Sequence, residues 1–234
     1  MAARKNFRAR APEGTQDMKT ALSAEAAAAL IPDGSVCLIG GFMGVGSPHR
    51  LIDAMVKRGL KNLTVVANDT ASPGKGIGKL ITAGAVRKLI ASHIGLNPET
   101  QKKMISGELE VELSPQGTLI ERIRAGGAGL GGVLTATGIG TVVEDGKPII
   151  EVDGKPYLLE KPIRGDFALI GCKQSDYYGN LEYSLTAHNF NPIMALAGEV
   201  VIAEPHHIVP VGVISPDSVK TPGVLVTHLL ERAL

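Results

Sequence analysis

Four short, largely apolar runs, "SVCLIGGF", "LTVVAND", "FALIGC" and "EVVIAE", constrain this chain's fold more than any other feature. Runs of this length suit strands covered on both faces, as in a parallel sheet. Between them the period changes to that of helices. "HRLIDAMVKRGL" sets Leu51, Ile52, Met55 and Val56 on one stripe and closes at Gly59, and "GTLIERIRAGG" does the same with Leu119, Ile120 and Ile123. "GIGKLITAG" and "PETQKKMISG" read as further helices, "VRKLIASHIG" as a third strand and "LEVELS" as an alternating one. Upstream, "KTALSAEAAAALIPDG" predicts an Ala-rich helix starting after Met18 and stopped by Pro32 and Asp33-Gly34. Such alternation predicts an α/β fold with an open, twisted, mostly parallel sheet flanked by helices. Residues 142–163 differ: two Asp-Gly turns between β-rich runs predict a small β-rich insertion, a hairpin or a meander.

An apolar content of 44% can fill a core for 234 residues. A net charge of +1, with Lys and Arg scattered among the acids, argues against nucleic-acid binding. Cys37 and Cys172 lie far apart in apolar runs and suit a core better than a disulfide or a redox pair. Charges and glycines interrupt every apolar run before the roughly 20 residues of a membrane span. Residues 1–17 carry four basic residues before Glu13 and read as a disordered leader, a start extension or a transit peptide. Residues 18–234 then form one domain.

The chemistry is sought at strand ends. "GGFMGVG", residues 40–46, joins a strand to a helix, with Ser47-Pro48 opening the helix. It fits neither G-x-G-x-x-G nor a P-loop. "GAGLGG" does fit the first pattern at Gly127, Gly129 and Gly132, yet it follows a helix, and its ordinary reading is a turn from helix to strand. Two readings stand for Gly40, Gly41, Phe42, Met43, Gly44, Val45 and Gly46: tight packing of helix on strand, or backbone N–H groups facing an anionic or carbonyl ligand. Asn68 and Gln116 close the next strands, and their amides suit either turn chemistry or donation to a developing oxyanion. "TAHNFNP" at 186–192 could line a site or cap a helix. The six histidines are dispersed, so no metal site is expected, and no G-x-S-x-G elbow or loop cysteine supplies a nucleophile.

From here the residues carry a resemblance. "DGSVCLIGGFMGVGSPHRLIDAM" resembles the signature of the α subunit of family I CoA-transferases, departing from it at Cys37, where the signature prefers an aliphatic residue. "LTVVANDTA", "GELEVELSPQGTLIERIRAGGAGLGGVLTATGIGT", "GDFALI" and "HNFNPIMALA" resemble the same family in the same order, closest to its acetate and acetoacetate branch. The resemblance implies transfer of CoA from a short-chain acyl-CoA (acetyl-, acetoacetyl- or butyryl-CoA) to acetate or acetoacetate, through a glutamyl-CoA thioester. The nucleophilic glutamate belongs to an S-E-N-G motif of the β half, absent here. The implied protein is therefore half of an α2β2 enzyme, cytoplasmic, with a mitochondrial location as the other reading. It takes CoA thioester as substrate and no permanently bound cofactor. The family's oxyanion asparagine and site glutamine map onto Asn68 and Gln116, and its CoA-binding segment onto Gly40–Gly46. A binding or regulatory protein of the same fold, holding CoA esters or sugar phosphates, is the alternative.

Overall fold

Successive residues of a strand point to opposite faces, so a parallel sheet needs cover on both, and each central strand of this chain meets that condition. The computed structural model describes residues 18–231; the leader expected over 1–17 lies outside them. The chain enters through a short strand, β1 (Ala21–Leu22), and helix α1 (Ala24–Ala29). Helix was expected from just after Met18. Instead the Ser23 hydroxyl caps α1 by accepting from Ala26 N–H at 3.1 Å, and Ala21 and Leu22 pair with residues 229 and 230. A ladder with distant residues overrides the local preference of alanine for helix.

Three right-hand neighbours are then laid down in sequence order. β2 (Val36–Ile39), α2 (His49–Arg58), β3 (Leu63–Asp69), α3 (Gly78–Thr82), β4 (Val86–His93), α4 (Pro98–Ile105) and β5 (Glu110–Leu113) form successive parallel βα units. Helix α5 (Gln116–Ala128) ends at Gly129 in the left-handed conformation, so "GAGLGG" is a helix terminus. A separate antiparallel sheet follows, ordered β6-β8-β7 from β6 (Val133–Thr135), β7 (Ile149–Val152) and β8 (Lys155–Glu160). The expected insertion is there, yet it begins at 133, and only the Asp153-Gly154 turn closes a hairpin; 142–148 is turn. A charge cluster beneath it joins α5 to β8: Arg122 meets Glu112 at 2.7 Å and Glu160 at 3.7 Å, and Lys147 meets the buried Glu160 at 2.6 Å.

The chain then returns to the other side of β2 with β9 (Gly165–Asp176), β10 (Leu181–Glu182), α6 (Asn191–Ala197), β11 (Gly198–Val209) and β12 (His228–Leu230). The main sheet runs β1-β12-β11-β9-β2-β3-β4-β5, parallel throughout, with β10 pairing antiparallel to the end of β9. Cys37, Ile39, Val65, Ala67, Leu89, Ala91 and Leu169 face one core, shared with α1 to α4. Leu38, Val66, Ile90, Ala168 and Ile170 face the second, shared with α5 and α6. Each buried aliphatic side chain contributes roughly 1.5–3 kcal/mol. The strand order reverses between β2 and β9, and in open α/β sheets that reversal leaves a crevice at the carboxyl ends of the strands.

Candidate functional site at the strand reversal

Residues 40–46 sit on that crevice. Gly40 N–H donates to Leu169 O at 2.9 Å and Gly171 N–H to Gly46 O at 3.2 Å, which ties the loop to β9. Phe42 and Val45 exchange two backbone hydrogen bonds of 2.9 Å, closing a two-residue turn on Met43 (φ 50°) and Gly44 (φ 85°). Positive φ at both central positions is the type I′ pattern. The tip projects outward, with Phe42 and Val45 exposed.

What crowds these glycines is largely the protein itself. A Cβ on Gly40 would lie 1.7 Å from Asn191 Oδ1, one on Gly41 2.2 Å from Ser47 Oγ, and one on Gly46 2.7 Å from Ala187 Cα. Gly44 differs, since its nearest neighbour would be His49 Cε1 at 3.7 Å. Asn191, fully buried at the start of α6, laces this packing: Gly171 N–H donates to its Oδ1 at 3.3 Å, and its Nδ2 donates to Gly46 O and Ala187 O at 3.0 and 2.8 Å. The "TAHNFNP" segment therefore forms the wall behind the loop, and the Asn191 carboxamide caps no helix.

The helix-terminus expectation is corrected by one residue. Pro48, not Ser47, precedes α2; Ser47 Oγ donates to Gly40 O at 3.0 Å. The Arg50 and Leu51 N–H groups donate to the Glu204 carboxylate at 3.2 and 3.0 Å. A carboxylate at a helix N-terminus satisfies orphan donors and the dipole together, so this end of α2 is taken by the protein. Among the described residues, Gly41, Gly44 and Gly46 keep N–H groups with no partner in the chain.

The two strand-end amides meet directly. Gln116 Nε2 donates to Asn68 Oδ1 at 2.7 Å, bringing the ends of β3 and β5 together. Ser92, at the end of β4, donates its hydroxyl to Asn68 O at 2.7 Å, and the same oxygen lies 3.2 Å from Asn68 Oδ1. Asn68 Nδ2 donates to Asp69 Oδ2 at 2.8 Å, and that oxygen also accepts from Met43 N–H at 2.9 Å. Asp69 Oδ1 accepts from Ala71 N–H at 2.7 Å. Loop residue, asparagine and glutamine, expected separately, thus belong to one hydrogen-bonded chain, and Asn68 and Asp69 are both buried. Asp69, Ser92 and Glu204 are the members that pattern reasoning did not single out, while Asn191 belongs to the "TAHNFNP" segment that it did. Position at a strand end was the available signal for Asp69 and Ser92; Glu204 gave none.

Hydrogen-bond arithmetic defines what this arrangement offers. Asn68 Oδ1 accepts from Gln116 Nε2 and lies 3.2 Å from the Ser92 hydroxyl, whereas Asn68 Nδ2 and Gln116 Nε2 each spend one of two N–H groups within the chain. The capacity left on these nitrogens is donor only, which suits a carbonyl oxygen or an oxyanion. Two hydroxyls flanking Gln116, Ser114 Oγ and Thr118 Oγ1, are buried without a partner. No thiol competes for a catalytic role: burial, aided by the Asp166 carboxylate, pushes the Cys37 thiol up to about 12, and burial also raises Cys172. Among the described residues no helix is long and apolar enough to cross a membrane, and no group of three or more His, Cys, Asp or Glu is placed to hold a metal ion.

Comparison with known proteins agrees with this picture. Residues 21–232 match the family model described as coenzyme A transferase. The chain is 53% identical over 214 residues to the acetate CoA-transferase subunit alpha of Escherichia coli K12, covering 91% of this chain and 97% of that protein. It is 52% identical to the acetoacetyl-CoA:acetate/butyrate CoA transferase alpha subunit of Clostridium acetobutylicum, covering 86% and 92%. Among solved structures, an acyl-CoA transferase of E. coli O157:H7 in a thioester complex with CoA superposes with a TM-score of 0.79 at 25% identity. That match covers 91% of this chain and 47% of the other, so the present chain spans about half the length of that enzyme.

Proposed function

Because the chain belongs to the coenzyme A transferase family, we propose that it is the α subunit of an enzyme moving CoA between a short-chain acyl-CoA (acetyl-, acetoacetyl- or butyryl-CoA) and free acetate or acetoacetate. The two relatives above, named for these substrates, support the choice. A β subunit, in an α2β2 complex, brings the glutamate. Its carboxylate attacks the thioester carbonyl and CoA leaves as thiolate, giving a mixed anhydride. The thiolate then attacks the glutamyl carbonyl, releasing the first acid and leaving a glutamyl-CoA thioester, and the second acid reverses these steps. CoA enters as substrate rather than resident cofactor, and the complex works in the cytoplasm.

In each step negative charge collects on a carbonyl oxygen. Asn68 and Gln116 present the remaining N–H donors for that charge, and donors already locked in place need no reorganisation as it develops. The Gly41–Gly46 rim, with its open N–H groups and the uncrowded Gly44, receives the thioester end of CoA. One observation carries this reading: the chain of contacts from Met43 through Asp69 and Asn68 to Gln116 leaves donor capacity on both amide nitrogens at the strand reversal.

The test is loss of acetoacetyl-CoA absorbance with acetate as acceptor, for the chain alone and co-expressed with its β subunit. Silence alone, turnover together, and a roughly 10²–10³-fold lower kcat for Asn68→Ala in an intact complex are expected. CoA-ester binding without turnover in the complex would overturn the proposal, and so would full activity of Asn68→Ala.

A further inference from the structure

An amide can serve as an oxyanion donor only if its nitrogen, not its oxygen, faces the reacting atom, and nothing within a carboxamide decides which way it lies. The decision is made by neighbours. At Asn68 the neighbour on the nitrogen side is a carboxylate, which while ionised can only accept. Were the amide turned over, its oxygen would face Asp69 Oδ2 and its nitrogen would face Gln116 Nε2, both repulsive, while the Ser92 hydroxyl can accept as well as donate and does not discriminate; the carboxylate, which can only accept, is the neighbour that decides.

Resting on the function proposed above, we propose that Asp69 is a positioning residue for CoA transfer: it sets the orientation of the Asn68 carboxamide and couples that orientation to the glycine turn through Met43 N–H. Every contact of its carboxylate is consistent with this task. Oδ2 accepts from Asn68 Nδ2 and Met43 N–H, Oδ1 accepts from Ala71 N–H, and the residue is buried. Among the described residues no cation pairs with it, so all three donors are neutral N–H groups whose directions it fixes. The register places it at the tip of β3, opposite His93 of β4, where no further ladder contact constrains it.

Asparagine at position 69 would preserve shape and remove this logic. Its single oxygen could serve either Ala71 N–H, or Met43 N–H and Asn68 Nδ2 together. The NH2 group would then point at the remaining donors, and a buried donor facing a donor is costly. The simplest relief is rotation of the Asn68 amide, which withdraws its N–H from the site.

The experiment is a double-mutant cycle on kcat in the complex with the β subunit, using Asp69→Asn, Asn68→Ala and the pair, with assembly checked by size-exclusion chromatography. Asp69→Asn alone should lower kcat by roughly 10–10²-fold, while in the Asn68→Ala background it should change kcat less than about twofold, because the group it orients is gone. Equal losses in both backgrounds would overturn the inference and make Asp69 a general structural residue. A rise in KM for acyl-CoA with kcat unchanged would also overturn it, since Asp69 would then act on the turn alone. Wild-type kcat for Asp69→Asn overturns the inference and leaves the proposed function standing, whereas wild-type kcat for Asn68→Ala overturns both. If Asp69→Asn does not assemble, Asp69→Ala, which admits water, is carried through the same cycle; failure of both to assemble makes Asp69 a folding residue and ends the proposal.

Discussion

Replacing Gly40 with alanine separates packing from ligand contact as the reason for a glycine. Its φ is not in the left-handed region, so the backbone itself would tolerate alanine. The obstacle is Asn191 Oδ1, 1.7 Å from the new methyl, on a fully buried side chain that cannot swing into solvent. Moving it away breaks its bonds to Gly171 N, Gly46 O and Ala187 O. With about 1 kcal/mol net per bond, and more where a buried partner is left unpaired, Gly40→Ala should cost about 3–5 kcal/mol. At 2–4 °C per kcal/mol for a chain of this size, the assembled complex should melt roughly 10 °C lower by differential scanning calorimetry. In an Asn191→Ala background the clashing atoms are gone, and Gly40→Ala should then lower the melting temperature by no more than about 3 °C. A near-unchanged melting temperature for the single variant, or equal losses in both backgrounds, would refute the steric argument.

Gly44→Ala should behave differently: its methyl meets nothing closer than 3.7 Å, and the strain of φ 85° costs only about 1–2 kcal/mol, so the expected effect is a raised KM for acyl-CoA with assembly intact. An unchanged KM would remove the tip of the turn from the CoA contact. The Cys37 thiol titrates upward from 9.0 to about 12, so at pH 8 its thiolate fraction is about 10³-fold below that of an ordinary thiol. Iodoacetamide should therefore leave Cys37 unmodified in the folded protein and label it in urea, as peptide mass mapping would show; rapid labelling of the native protein would contradict the buried placement.

The central strands were legible because both of their faces are buried, which leaves an unbroken apolar run at Cys37–Ile39 and Leu169–Ile170. β1 and β12 were not, since strands of two and three residues take shape only through their neighbours: β1 pairs with β12 across nearly the whole chain, and β12 with β11. β6 follows the "GAGLGG" turn as the β-branched run after it implied, but its pairing with β8 could not be read from local pattern. At the site, Asn68 and Gln116 were found by position at strand ends. Their direct contact was not readable, because it closes 48 residues of chain. Asn191 acts on the glycine segment from 145 residues away and Glu204 on the start of α2 from 154, and at such distances the contacts themselves leave no local pattern. The glycines themselves invited a ligand explanation that the packing of α6 largely supplies.

The place of β2 in the sheet also has a consequence in time. Its parallel neighbour on one side, β3, follows within about thirty residues, but the other, β9, pairs Phe167 with Cys37, and Asp166 Oδ2 takes Val36 N–H from 130 residues away. A ribosome adding about 5–20 residues per second needs roughly 6–26 s to cover that separation. During this interval β2 to β5 can assemble as a half sheet whose inner edge is open. The glycine turn, anchored on Leu169 and Gly171 of β9, cannot take its final form before that edge closes. For a nascent chain, the site is thus among the last parts to be built, and an exposed edge is the vulnerable state that precedes it.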